Sequence, residues 1–141
     1  MPQGHVKIKI QGIQVSPDGQ VSRTESSAEG TLREKGGKHF LLYQEKAEDG
    51  SVTKSVVKYS RESLQITRSG QISSSLIFTE GEHFRSSYST PYGSFPVDID
   101  TERYVLSEKE DQAELSLGYR LAVDGEYTAQ CLVQMKILQT D

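Results

Sequence analysis

The residue whose chemistry most needs explaining is an arginine in the run L-Q-I-T-R, Leu64 to Arg68. Alternation puts Leu64, Ile66 and Arg68 on one face, so the apolar residues carry the guanidinium inward with them. A guanidinium taken out of water is costly unless a charge or hydrogen-bond partner meets it. Three outcomes are open. Arg68 pairs with an interior carboxylate or backbone carbonyls. It binds an anionic group of a ligand. Or the strand bulges before Ser69-Gly70 and releases it to solvent. Tyr88, Tyr119 and Tyr127 fall in inward register as well, with Ser74 and Ser86. An apolar lining with a few convergent hydroxyls is the composition of a small-molecule site, and also of a hydrated core.

Tyr92 belongs to Thr90-Pro91-Tyr92-Gly93. Pro91 presets φ for the second position of a type I turn, and Gly93 suits the fourth. Read that way the segment is a turn, and Tyr92 is an amphipathic ring at the mouth of whatever the strands enclose. Arg68, Tyr88, Tyr92 and Tyr119 are therefore the candidate ligand-binding residues.

Catalytic patterns are missing. His5, His39 and His83 lie on separate strands without HxxH or HExxH spacing. Gly36-Gly37-Lys38 ends like a phosphate loop, but Leu32 stands where the first glycine is required and His39 where Ser or Thr is. It reads as a hairpin. There is no Gly-x-Ser-x-Gly elbow. Asp98, Asp100 and Glu102 form a line of carboxylates on the outer face of their strand, which alone does not make a cation site. Cys131, the single cysteine, is in register with Val133 and Met135 and reads as a buried hydrophobe. The expectation is no enzyme, no metal and no cofactor.

The elements that must position these residues are strands. Val6, Ile8 and Ile10 alternate with His5, Lys7 and Lys9, and similar alternation recurs almost to the C-terminus. Asp18-Gly19, Asp49-Gly50 and Asp124-Gly125 are dipeptides favoured by type I′ hairpins. Gly36-Gly37 and Gly81 mark further turns. No long segment has helical periodicity. The pattern predicts one all-β domain over 1–141, a closed antiparallel up-and-down β-barrel of about eight to ten strands. A two-sheet sandwich is the second choice.

Of the 141 residues, 16 are basic and 20 acidic, for a net charge of −4. The first seventy carry 11 basic and 8 acidic residues, and the remainder 5 and 12. That balance, without a basic block, predicts no nucleic-acid partner. No apolar run approaches membrane-spanning length, and Met1 to His5 lacks a signal-peptide pattern. The expected location is the cytoplasm.

The run I-T-R-S-G-Q-I-S-S-S-L-I-F (66–78) and the segment Y-S-T-P-Y-G-S (88–94) resemble the YwiB-like family of small bacterial proteins. V-K-I-K-I-Q-G (6–12) and G-T-L-R-E-K-G-G-K-H-F-L-L-Y-Q-E (30–45) are similar to it too. The resemblance spans roughly 6–137. It implies a calycin-like, lipocalin-type barrel and a bacterial cytoplasmic origin. It implies no activity, because the family is of unknown function, and no site residue carries over. The Gly-x-Trp of lipocalins is absent, since the chain has no Trp. The function expected is non-enzymatic binding of a small amphipathic or anionic ligand in the barrel. The alternative is an interaction module using its outer surface, with Leu132 and Leu138 outward, a homodimer being one form of it.

Overall fold

The computed structural model describes residues 3–140; Met1, Pro2 and Asp141 lie outside it, including the head of the stretch read for a signal peptide. Ten strands follow in order. They are β1 (Gly4–Val15), β2 (Val21–Lys35), β3 (Lys38–Lys46), β4 (Val52–Tyr59) and β5 (Ser63–Ser69), then β6 (Ser74–Thr79), β7 (His83–Thr90), β8 (Gly93–Glu108), β9 (Gln112–Val123) and β10 (Glu126–Gln139). Among the described residues there is no helix, so none is long and apolar enough to cross a membrane.

All ladders are antiparallel, and sheet neighbours are sequence neighbours except where β1 pairs with β10. That pairing joins the chain's first strand to its last, as an up-and-down barrel requires. The remaining edges are β6 and β7, which nearly close the cylinder. A Ser73–Ser89 bridge joins them, and the Ser86 hydroxyl donates to the Ser75 carbonyl at 2.8 Å. The barrel is the first of the two architectures expected from the pattern.

Alternation sends one side chain in two to the interior. Ile8, Leu41, Val57, Ile99, Leu115 and Ile137 lose essentially all solvent contact there. They fill the middle of the barrel. Its two ends are built differently. One is ringed by the turns at 16–20, 47–51, 70–73, 91–92 and 124–125, the other by those at 36–37, 60–62, 80–82 and 109–111.

The turns split by conformation. Asp124 and Gly125 both have positive φ, 54° and 82°, as a type I′ hairpin needs. At Asp18-Gly19 and Asp49-Gly50 only the glycine is left-handed. Those loops are longer, with Gly19 N–H donating to the Ser16 carbonyl and Gly50 N–H to that of Ala47. Their aspartates instead bond the loop, as Asp49 Oδ1 does in accepting from Ser51 N–H at 2.9 Å.

Two register slips break the alternation, one in β8 between Thr101 and Arg103, the other in β10 between Tyr127 and Ala129. A bulge inserts one residue and flips every side chain beyond it. The first turns Tyr104, Leu106 and Glu108 inward and ends the outer carboxylate line at Glu102. The second turns Tyr127 outward, opposite Ala122, which corrects the inward placement expected for it. The Arg120 guanidinium lies over its ring, 4.4 Å from the centroid.

Candidate functional site

At one end, Arg68 stays in unbroken register, opposite Ser55 on β4 and Ser74 on β6. No bulge releases it, so the solvent outcome does not occur. Its side chain is partly buried and makes no hydrogen bond or ion pair with any described residue. Glu45 shares the inner face one pair nearer the rim, and it does not reach Arg68 within 4.0 Å. The expected interior carboxylate partner is thus not found among the described residues.

The cross-strand row around Arg68 is polar throughout. It runs Tyr43, Ser55, Arg68, Ser74, through successive ladder pairs. The hydroxyls of Tyr43, Ser55 and Ser74 are all buried and all without a protein hydrogen-bond partner. Gly30, opposite Tyr43, starts the row. A Cβ at Gly30 would strike the Leu42 carbonyl and come within 3.1 Å of the Tyr43 Cβ, so glycine is what lets the tyrosine lie against β2. Three unsatisfied hydroxyls beside an unpaired cation form an arrangement with donors to spare and no anionic acceptor, suited to an anion.

Tyr119 faces this row across the interior. Burial holds its hydroxyl above the ordinary phenol range, the neighbouring Cys131 adds to the shift, and the Arg68 charge opposes it. Tyr119 stays a neutral donor. Tyr88, opposite Phe95, packs against the core on the same side. Tyr92 stands apart: its ring is 94% exposed at the tip of the β7–β8 turn. The turn is tied by Tyr92 N–H donating to Thr90 Oγ1 at 3.1 Å. The structure therefore gathers Arg68, Tyr88 and Tyr119 on the inner face and leaves Tyr92 at the outer rim. Cys131 is buried, and burial raises its thiol above the ordinary range.

The opposite end carries a second cluster. His39 is 6% exposed, opposite Tyr59, with ring centroids 4.8 Å apart. Its Nε2 lies 3.3 Å from Glu108 Oε1, and its Nδ1 lies 3.8 Å from Glu34 Oε2. The latter is too long for a hydrogen bond, and Nδ1 has no partner. Tyr104 donates its hydroxyl to the Ser60 carbonyl at 2.5 Å. Burial first, and then the Glu108 charge, keeps the Tyr59 phenol protonated; burial with Tyr59 and Glu108 does the same for Tyr104. A cleft of about 480 Å³ opens over His39, Glu34, Glu108 and Leu106.

Sequence reasoning missed this second cluster. His39 read as an isolated histidine on its own strand, and Glu108 was not singled out. The signal was a phase slip. Val97, Ile99 and Thr101 alternate on odd numbers, whereas Tyr104, Leu106 and Glu108 alternate on even ones. His83, on the outer face, is held by Asp100 at 2.7 Å and Asp98 at 3.0 Å. Among the described residues no group of three His, Cys, Asp or Glu is placed to hold a metal ion.

The chain thus has the architecture of a small ten-stranded barrel with polar groups at both ends. Residues 8–135 match the family model described as a domain of unknown function (DUF1934), and the chain belongs to that family. Among solved structures it is similar to the crystal structure of the ywiB protein from Bacillus subtilis. The identity is 19%, the TM-score 0.86, and the match covers 99% of this chain and 94% of that one. The YwiB-like resemblance and the barrel read from the motifs agree with both. No curated protein matches the chain.

Proposed function

We propose that the barrel is a non-enzymatic binding module that takes a small anionic or amphipathic ligand at its Arg68 end. One observation carries this reading: Arg68 points inward in register, without an ion pair, between Ser55 and Ser74, whose buried hydroxyls have no partner. A charged ligand oxygen would accept from the guanidinium and from these hydroxyls, and Tyr119 supplies a further neutral donor. An alkyl portion would lie against Tyr88 and the adjoining core. The fold adds an analogy, since calycin barrels take ligands between the same kind of strands; analogy of fold does not fix function. The cytoplasm is the location proposed with it.

Native mass spectrometry of freshly purified protein tests the reading. The expected result is an extra mass that is lost on denaturation and absent from Arg68→Met. An octanoate titration of the bare protein extends the test, with saturable binding expected for wild type and at least about tenfold weaker binding for Arg68→Met. Equal octanoate affinity in the two proteins overturns it.

A second reading is self-association through the outer face of β1 and β10. Leu132 is 51% exposed and lies opposite Ile13, beside a shallow groove of about 230 Å³. Sedimentation at high concentration tests it. A monomer throughout contradicts it.

A further inference from the structure

We propose that the His39 end is a second binding site, specific for a primary ammonium group, with His39 Nδ1 and Glu34 as its receptor. Four observations lead there. His39 is more than nine-tenths buried, yet its Nδ1 has no hydrogen-bond partner. Glu34 Oε2 stands 3.8 Å from that nitrogen, too far to bond it directly. Glu108 Oε1 lies 3.3 Å from the other nitrogen. Lys38 and Arg61 line the same cleft, and neither forms an ion pair with Glu34, Glu62 or Glu108.

The chemistry follows from the two ring nitrogens. In the tautomer that carries its proton on Nε2, the nitrogen 3.3 Å from Glu108, Nδ1 presents a lone pair. The gap then has an acceptor on each side, the Nδ1 lone pair and the Glu34 carboxylate. A group with at least two N–H donors and a positive charge bridges it, which describes an ammonium. The cleft is lined by Glu34, Glu62 and Glu108 against Lys38 and Arg61, and a neutral imidazole adds no charge, so the incoming cation meets a net negative lining. A single hard cation fits less well, because the two carboxylates approach opposite sides of the ring and do not converge. Leu106 lines the cleft and can cover a short alkyl chain. Gly36 and Gly37, with no heavy atom near either Cβ position, leave their side of the entrance open. Glu108 acts as a positioning residue, setting the tautomer that exposes the lone pair.

The test is a calorimetric titration with n-butylammonium, with butyrate as the matched anion. Saturable one-to-one binding of n-butylammonium, and none of butyrate, is expected. Glu34→Gln keeps the shape, removes the charge and should weaken binding about tenfold or more. Arg68→Met, at the other end, should leave it unchanged. Nitrogen-15 spectra of the His39 ring provide a readout that a purely structural role would not move. They should report Nε2–H in the free protein, an Nδ1 shift on adding n-butylammonium, and a changed tautomer balance in Glu108→Gln. Undiminished affinity in Glu34→Gln, tighter binding of butyrate than of n-butylammonium, or an Nδ1 signal that ignores the amine would each overturn the proposal. The last result would leave the gap to a bridging water.

Discussion

The two ends of the barrel set the same inward alternation to opposite uses. At one, a cation stands among hydroxyls with no carboxylate to pair it. At the other, two carboxylates share one buried histidine. Between them lie side chains with essentially no solvent contact, so neither charge neutralises the other. The difference teaches that an inward polar residue near a barrel rim is not explained by its position alone. What matters is whether the facing strands supply its partner. At both ends they stop short: Glu45 does not reach Arg68, and Glu34 does not reach Nδ1.

The separation depends on the packed middle, and the largest expected effect is there. Leu115→Ala should cost about 3 kcal/mol in urea unfolding, through lost burial and the cavity left behind. A loss below about 1 kcal/mol would mean a loose middle and ends that communicate. Next comes Tyr104→Phe, which removes the hydroxyl bonded to the Ser60 carbonyl and leaves that acceptor unpaired. About 1 kcal/mol should be lost in the same assay. The end that holds His39 would then be shown to depend on the bulge that aims Tyr104 inward.

Arg68→Met should change stability by no more than about 1 kcal/mol, in either direction, because no partner is stranded by its removal. Loss of about 3 kcal/mol or more would reveal a hidden partner and cancel the contrast between the ends. The smallest effect concerns His83, outside both ends. The Asp100 hydrogen bond raises it above its ordinary imidazole value of 6.5, desolvation opposes this, and Asp98 reinforces it. A raised folded value means that the contribution is complete below 6.5 and lost as pH climbs through the folded pKa. A proton NMR titration should find His83 titrating high, and Asp100→Asn should bring it down. An unchanged midpoint in Asp100→Asn would remove that aspartate from the account.

Much of this is legible in the sequence. Strict alternation at Val6-Ile8-Ile10 and Leu64-Ile66-Arg68 defines inner faces directly, so strands, barrel and Arg68's direction followed from period two. Type I′ geometry at Asp124-Gly125 followed from turn chemistry as well. The losses came where one residue was inserted. The bulges at Glu102 and Thr128 reverse the faces beyond them, which hid Tyr104 and Glu108 and misplaced Tyr127. Composition does not mark a bulge; only the change of phase does. The His39–Glu34–Glu108 grouping also depends on β2, β3 and β8 meeting at one end. Residues so far apart in the chain carry no local signal of that meeting.

Amide shift mapping with octanoate tests the central claim most directly. The account predicts saturable shifts at Ser55, Arg68, Ser74 and Tyr119, with His39 and Glu108 unmoved. Shifts that never saturate, or that gather on the outer face around Leu132, would contradict it.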